Sequence, residues 1–528
     1  MMYSKFVHHL TSFKRIRFFA LACLIGSFET FMLQSTIAAG VNSRISQSAE
    51  LLGDEVLVNE LNRMEFQINQ RAKKVSLNEA ISTGIRSNPQ LFQAFSVIQQ
   101  YEWQLIASQR QWYPTFQLSN GSPFAGIQWS SFVQNYQRKS TSSPGNVSRN
   151  SKFNELQPGA SINWNAIDLT RQPNINAANE SLRQQKLLFD VSARNLILDI
   201  QQSYFSIQSS QQLIDSFRSI YEINRKHLII LQTQRKIGMG TVLDVQATRS
   251  QLFSLLNQLV VYTRNYIDQS AALAEALALP EGSLAIPSDS AEPRGDWKIN
   301  LDQTIELAKI QREEIMANLA AAESAKWTGV AGLRSYLPVF QLVATGNLSL
   351  NKGTESFADR DRNIQIPTSS QTSNGALGLG FTWSLFDGGI QSANAQAAFA
   401  QSRQQRDQAA ITQLQVMRQV RTSYNQLETS RVSIKSAQIA YQAAKIAEQA
   451  AWARYSVGIG DITSVVQSFS LLSTASQQLS EATLSYNTGV AQLHRYAAIW
   501  PQNTQQEVKQ QLQQLRQTNY YTQMNFQP

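Results

Sequence analysis

Residues 375–383 read GALGLGFTW, and this stretch decides the fold that the sequence predicts. Large apolar residues alternate with glycine, alanine and threonine, so an extended strand would have one apolar face and one small or polar face. Residues 340–350 alternate in the same way. This pattern is typical of a transmembrane β-strand and equally of a half-buried hairpin on a soluble core. In the transmembrane alternative, the lipid-facing side chains are Phe340, Leu342, Leu377, Leu379, Phe381 and Trp383.

Polar segments next to the predicted strands favour the membrane alternative. Residues 120–155 and 351–374 are long and rich in serine, asparagine and glycine, as the external loops of outer-membrane barrels are. The chain supplies only four such strands, which cannot close a barrel. Because unpaired strand edges are costly in lipid, we expect several copies of the chain to contribute strands to one transmembrane β-barrel.

An internal repeat covers most of the chain. A shift of 224 residues superimposes residues 114–118 on 338–342, and a shift of 220 superimposes Gly238 on Gly458. Both copies predict a first helix (76–111 and 301–335), two strands, a very long helix (174–236 and 390–456), a glycine-marked turn and a last helix. The predicted fold is therefore a mixed α and β membrane protein with a duplicated helix-strand-strand-helix-helix unit.

The repeat divides the chain into segments. We predict the following: a signal peptide at residues 1–39, an N-terminal extension at 40–74, a first structural repeat at 75–280, an inter-repeat linker at 281–298, a second repeat at 299–500, and a glutamine-rich, loosely packed C-terminal tail at 501–528. Lys14, Arg15 and Arg17 precede the apolar stretch 18–28, which is the pattern of a secretory signal. The only cysteine, Cys23, lies inside that segment.

The long helices carry a sevenfold apolar pattern. The stripe in the first copy is Ile200, Ile207, Ile214, Tyr221 and Leu228, and that in the second copy is Val420, Leu427, Ile434 and Tyr441. A sevenfold stripe predicts left-handed coiled-coil packing against a neighbouring helix. Serine, glutamine and alanine dominate the rest of these helices, as expected for a wall that is wetted on both sides.

Composition and motifs exclude other functions. The net charge of +9 is scattered, so no basic patch indicates a nucleic-acid partner. Beyond the signal, His227 and His494 are the only histidines, and neither has metal-binding spacing. We expect both to be ordinary helix residues, and we expect no cofactor, no metal and no enzymatic activity.

The signal peptide, the duplicated unit, Ser76-Leu77-x-Glu79-Ala80-Ile81 with Asn88-Pro89, Trp383-x-Leu385-Phe386-Asp387-Gly388-Gly389 and Tyr455-Ser456-Val457-Gly458 together resemble the TolC-like outer-membrane efflux proteins. The resemblance covers about residues 75 to 499. It implies a homotrimer in the cell outer membrane. The barrel would continue into a long periplasmic α-helical barrel and would work with a periplasmic adaptor protein and an inner-membrane transporter. Its function would be efflux of small molecules, protein export, or both.

The resemblance also implies site residues. The adaptor docking turns would be Ile237-Gly238-Met239 and Val457-Gly458-Ile459. The tip gate would contain Asp244, Tyr455, Ser464 and Gln467. Gly460 replaces an arginine of the family's latch, and Ser464 and Gln467 replace two constricting aspartates, so the latch and the acidic ring differ here. Asp244 also fits a capping box with Thr241, and that alternative stays open. Asp461 is predicted to be an N-cap.

A second function class is a soluble periplasmic coiled-coil adaptor or structural protein. It explains the sevenfold stripes but leaves the four alternating strands without a purpose. Detergent extraction with heat-modifiable migration on a gel would distinguish the two classes.

Overall fold

The computed structural model describes residues 54–137, 144–359, 362–501 and 504–524. The predicted signal peptide and the first part of the N-terminal extension lie outside the described residues. The helices are α1 (Asp54–Arg71), α2 (Leu77–Ser87), α3 (Pro89–Arg110), α4 (Arg171–Lys236), α5 (Val242–Ala276), α6 (Leu301–Gln311), α7 (Glu313–Arg334), α8 (Ile390–Ser456), α9 (Ile462–Tyr496) and α10 (Thr504–Met524). The strands are β1 (Ala72–Val75), β2 (Thr115–Gln137), β3 (Pro144–Ile167), β4 (Leu284–Pro287), β5 (Val339–Asp359) and β6 (Arg362–Thr382).

The same order of elements occurs in both halves of the chain: helix, helix, strand, strand, long helix, helix. The long helices α4 and α8 contain 66 and 67 residues. At about 1.5 Å per residue, each extends about 100 Å. None of the described helices is apolar over a stretch long enough to cross a membrane.

The chain divides into two compact units. Of the described residues, those within 85–198, 297–424 and 492–524 form the sheet unit, and those within 54–84, 199–296 and 425–491 form the turn unit. Helices α4 and α8 contribute residues to both units.

The sheet unit contains a four-stranded antiparallel sheet in the order β2-β3-β5-β6. Its strands are longer than the sequence predicts, because residues 120–137, 144–155, 351–359 and 362–374 extend the strands and are not loops. Pairing continues without a break from Val339↔Thr382 to Asp359↔Arg362. Asparagine, serine and threonine still alternate between the two faces there, and the ladder satisfies their backbone groups.

The first helix of each half is broken in two, where the sequence predicts one continuous helix. Asn88 has extended dihedral angles (φ −71°, ψ 122°) because a residue before proline is driven out of the α region. Its side chain accepts a hydrogen bond from the Gln90 amide at 2.8 Å, which caps α3. In the second half, Arg312 adopts a similar conformation (φ −66°, ψ 115°) without a proline.

A buried ion-pair cluster surrounds the Arg312 break. Arg194 Nε donates to Glu313 Oε1 at 2.8 Å, and both side chains are less than a tenth exposed. Glu314 accepts hydrogen bonds from Arg312 and Arg495, which hold the pKa of this carboxyl at about 2 although burial opposes the shift. The break therefore places two carboxylates in the first turn of α7, where the helix dipole also favours them.

The glutamine-rich C-terminal segment forms α10 rather than a loosely packed tail. Thr504, Val508 and Gln511 are buried, and the Gln511 amide donates to the Arg86 carbonyl at 3.3 Å. The amphipathic spacing of these three residues, at i, i+4 and i+7, gives α10 one packed face despite its polar composition.

The turn unit confirms the sevenfold stripe of the first copy, because Ile200, Ile207, Ile214, Tyr221 and Leu228 are all buried. The end of the N-terminal extension is also ordered here. Strand β1 pairs in parallel with β4, which lies in the predicted linker. Helix α1 makes ion pairs with α4 through Glu65 and Arg218 (2.7 Å) and through Glu55 and Arg225 (2.6 Å).

A stack of aromatic rings fills the core of the turn unit near the end of α4. His227 stacks on Trp452 with ring centroids 3.4 Å apart and an interplanar angle of 5°, and the Phe469 ring centroid lies 5.5 Å from that of His227. Trp452 in turn lies 5.7 Å from the Tyr455 ring. Burial lowers the pKa of His227 to about 4, and its Nδ1 has no hydrogen-bond partner among the described residues. His227 is therefore neutral at physiological pH.

The low pKa of His227 predicts a loss of stability in acid. The unfolded chain binds a proton near pH 6.5 and the folded chain only near pH 4, so the unfolding free energy falls as the pH drops through this window. We expect wild type to lose about 1–2 kcal/mol more than His227→Phe between pH 7.5 and pH 5. Thermal unfolding in detergent, followed by circular dichroism for both proteins at each pH, measures this difference. Parallel curves for the two proteins would contradict the prediction.

Candidate docking and gating site at the two helix turns

Two matching turns connect α4 to α5 and α8 to α9. Gly238 (φ +80°) and Gly458 (φ +78°) adopt the left-handed conformation that favours glycine. In the first turn the Gly238 amide donates to the Arg235 carbonyl and the Met239 amide donates to the Gln234 carbonyl. The second turn repeats both bonds, from Gly458 to Tyr455 and from Ile459 to Arg454. Each is a Schellman motif, so the sequence interpretation of these glycines as helix ends is confirmed.

The turns expose an apolar surface. The side chains of Ile237, Met239, Val457 and Ile459 are 65%, 78%, 68% and 74% exposed. Val242 and Leu243, in the first turn of α5, are also exposed. Solvent-facing apolar side chains concentrated in one place mark interaction sites in soluble regions of proteins. We refer to these six side chains as the turn surface.

The charges around the turn surface are basic. Arg235, Lys236 and Arg454 are exposed in the last helical turns, and none of them forms an ion pair within the described residues. The two nearby acidic side chains are already engaged. Asp461 Oδ1 accepts from the Ser464 amide at 2.7 Å, which confirms that Asp461 is an N-cap.

Asp244 has two roles. The Thr241 hydroxyl accepts from the Asp244 amide at 3.1 Å and Asp244 Oδ2 accepts from the Thr241 amide at 3.2 Å, which completes the capping box. The same Oδ2 accepts a hydrogen bond from the Tyr455 hydroxyl at 3.3 Å. Burial and the adjacent carboxylate raise the pKa of Tyr455 to about 12, so the phenol keeps its proton and remains a donor. The cap and the contact between the two helix pairs share one carboxylate.

The other predicted gate residues lie on the surface. Ser464 and Gln467 are exposed side chains on the first two turns of α9. A Cβ atom at Gly460 would lie 3.0 Å from the Tyr455 backbone nitrogen, so a larger residue there requires the neighbouring backbone to move by a few tenths of an ångström. The turn geometry therefore excludes an arginine at this position without a backbone shift.

The aromatic stack is the feature of this site that sequence reasoning missed. Trp452 lies between His227 and Tyr455. The Tyr455 ring, whose hydroxyl donates to Asp244, therefore packs against Trp452, which in turn stacks on His227. Histidine in a helix gives no sign of this role by itself. The available signal was spacing, because His227 follows Ile220 by seven residues and Ile220 is buried.

The predicted lipid-facing side chains share one face of the sheet. Phe340 pairs with Phe381 and Leu342 with Leu379, and paired residues point to the same side. Leu377, Leu379, Phe381 and Trp383 are more than half exposed, Phe340 is 44% exposed and Leu342 is partly buried. Trp383 follows the end of β6, and its Nε1 donates to the Tyr336 carbonyl at 2.9 Å. Trp164 makes the equivalent bond to the Trp112 carbonyl.

Within the described ranges, no group of three or more histidine, cysteine, aspartate or glutamate side chains is arranged to hold a metal ion.

Comparisons with known proteins agree with this architecture. The family model for the outer membrane efflux protein family matches residues 80–279 and 304–498. Outer membrane protein TolC of Escherichia coli (strain K12) is 23% identical over 328 residues, which cover 61% of this chain and 64% of TolC. The match thus spans less than two thirds of that relative's length.

Solved structures share the fold. The CmeC outer membrane channel of Campylobacter jejuni superimposes with a TM-score of 0.64 at 18% identity, covering 83% of this chain and 89% of CmeC. The outer membrane protein VceC of Vibrio cholerae superimposes with a TM-score of 0.60 at 16% identity, covering 80% of this chain and 95% of VceC. The chain is an outer-membrane protein and belongs to the outer membrane efflux protein family.

Proposed function

We propose that three copies of this chain form an outer-membrane exit duct for small molecules, exported proteins, or both. The strands form one transmembrane β-barrel, and the helices form a hollow α-barrel across the periplasm. A periplasmic adaptor docks at the turn surface and works with an inner-membrane transporter. The duct performs no chemistry and needs no cofactor. We also propose that residues 75–280 and residues 299–500 are two copies of one structural unit.

The observation that carries this proposal is the open sheet with one exposed apolar face. Strands β2 and β6 form its edges, and each is more than 20 residues long. A free edge of that length presents a row of unpaired backbone groups, which is prohibitive in lipid. Pairing of β6 with β2 of the next copy would satisfy both edges, and three copies would close a barrel of twelve strands.

The two faces of the sheet suit lipid and water. The face with Phe340, Leu342 and Leu379 also carries Ile162 and Trp164 through direct pairing with β5. We call it the apolar face. The opposite face carries Ser161, Thr345 and Ala376 in one row across β3, β5 and β6. Residues 115–126, 156–167, 339–351 and 363–382 contain no charged residue, so this inner part of the sheet is neutral. Apolar outside and uncharged polar inside is the pattern of a transmembrane barrel.

Helix α8 supplies a second contact between copies. Val432, Ile439 and Ile446 recur every seven residues, and they are 70%, 72% and 64% exposed. A stripe of this spacing requires a partner helix. Within the described residues of one chain the stripe has no cover, and a neighbouring copy would bury it.

The soluble adaptor alternative loses its support. Family membership places the chain in the outer membrane, and an adaptor would have no use for an exposed apolar face on four long strands.

Substitutions on opposite faces of β6 test the barrel. Leu379→Arg places a charge on the proposed lipid face and should cost about 2–4 kcal/mol, so assembled trimer in the outer membrane should fall sharply. Gly378→Ser is the matched control, because a Cβ atom at Gly378 meets nothing within 4 Å and faces the proposed lumen. Heat-modifiable trimer on gels measures the outcome. Equal trimer levels for both variants would refute the barrel.

Charge at the turn surface tests docking. A glutamate at Gly458 would strain the turn because of its positive φ, whereas Ile459 is exposed in ordinary conformation. Ile459→Glu with Met239→Glu should reduce resistance to exported compounds to the level of a deletion strain and should abolish crosslinks to the adaptor. Gln449→Glu, an exposed position on α8, should leave resistance unchanged. Normal efflux in the double variant would exclude this surface as the docking site.

The gate proposal concerns Asp244, Tyr455, Ser464 and Gln467. A hydrogen bond to a charged group contributes about 1.5–3 kcal/mol, and the 3.3 Å contact of Asp244 lies at the weak end. Asp244→Ala with Tyr455→Phe should increase the open fraction about tenfold, seen as higher single-channel conductance in planar bilayers. Thr241→Ala removes only the helix cap and should leave the open fraction unchanged. If the cap variant alone opened the channel, Asp244 would act as a helix cap only.

A further inference from the structure

On β5 and β6 the apolar and polar residues exchange faces along the strand. From Phe340 to Leu350 the large side chains of β5 lie on the apolar face. Beyond Leu350 this face becomes polar on β3, β5 and β6, with Lys152 and Lys352 exposed on it, whereas β2 keeps Ile127, Trp129 and Val133 there. The large side chains reappear on the opposite face, at Phe357 on β5 and at Ile364 and Ile366 on β6. The strict two-residue period and the uninterrupted register of β5 and β6 make this exchange unambiguous.

Four of these positions form one row across the sheet. Phe132 pairs with Arg149, Arg149 with Phe357, and Phe357 with Ile364, so each strand contributes one side chain. We call this the outer row, since it lies near the hairpin ends that are farthest from the helices. Arg149 extends over the Phe357 ring at 5.5 Å and donates to Glu355 Oε1 at 2.6 Å. The row therefore carries large apolar side chains and one arginine whose charge is neutralised by Glu355.

The outer row lies on the face of the sheet that is less exposed along β3, and the proposed barrel would make this its inner, concave face. Along β3 the side chains on this face, such as Ser151, Phe153 and Glu155, are partly or fully buried. Those on the other face, such as Lys152 and Asn154, are exposed. Closure of the proposed barrel with the less exposed face inside agrees with this difference in burial.

The geometry points to an apolar constriction at the outer mouth of the duct, formed by the outer row of three copies. This inference rests on the proposed function, which supplies the closed barrel. Side chains fill the interior of an eight-stranded barrel, whereas a barrel of 16 to 18 strands encloses an open channel. In a barrel of twelve strands, side-chain size therefore determines the width of the opening. Below the outer row the same face carries mostly small or polar side chains such as Ser161, Thr345 and Thr372, with Phe153, Ile366 and Val343 as the larger apolar exceptions.

The chemistry of the row defines what passes. Phenylalanine and isoleucine offer no hydrogen bonds to water, and an apolar constriction admits water and hydrated solutes poorly. Because Glu355 neutralises Arg149, the row does not attract either sign of charge. The exit therefore favours slender solutes with apolar surface and retards bulky hydrophilic chains.

Cysteine labelling from outside intact cells tests this inference. Thr372→Cys lies on the concave face eight residues below Ile364 on β6, and the chain has no cysteine other than Cys23. We expect a small maleimide to label Thr372→Cys and a dextran-coupled maleimide to be excluded. Adding Phe132→Ser and Phe357→Ser should admit the dextran reagent and increase labelling at least tenfold. Adding Ile127→Ser and Val133→Ser, on the opposite face of β2, should not.

The outcomes separate the two proposals. Absence of labelling by the small maleimide would show that the concave face does not line an open lumen, which would overturn the proposed barrel. Dextran labelling with the outer row intact, or exclusion that persists in an assembled Phe132→Ser and Phe357→Ser variant, would overturn the constriction alone. If that variant fails to assemble, Ile364→Ser, a single change on the edge strand, serves in its place with the same expected result.

Discussion

Backbone hydrogen bonding along two free sheet edges is the constraint on which the rest of the molecule depends. Strands β2 and β6 each leave a long row of N–H and C=O groups without a partner strand among the described residues. Lipid cannot supply those partners. The proposed copy number, the assignment of an outer and an inner face, and the position of the outer row all follow once these edges must pair. The helices are subject to a milder version of the same constraint, because their exposed apolar stripes need cover but their backbones are already satisfied.

Sequence reasoning succeeded where a period or a short motif determines the structure. The two-residue alternation at residues 340–350 and 375–383 identified the apolar face, and the sevenfold stripe identified the buried side of α4. Asp461, Gly238 and Gly458 were assigned from local capping chemistry, which depends on few neighbours.

Sequence reasoning failed where the deciding partners are far apart in the chain. The Arg312 break has no proline to signal it, and its causes include Arg495 and Tyr496 on α9. The outer hairpins were interpreted as loops because serine and asparagine favour loops on average, although cross-strand pairing overrides that preference. The aromatic stack joins α4, α8 and α9, so no window of neighbouring residues contains it.

The pairing of β3 with β5 has a consequence for how the chain reaches its native state. Arg149 and Glu355 are 206 residues apart in sequence, and the central ladder of the sheet joins the two halves over comparable separations. Contacts between residues that are so far apart in sequence form late, because a long loop must close before they contribute any stability. During biogenesis the first hairpin must wait for most of the chain to be delivered while its apolar side chains remain uncovered. A newly exported chain of this design is thus a natural client for holding chaperones, and its insertion into the membrane is expected to be slow and strictly post-translational.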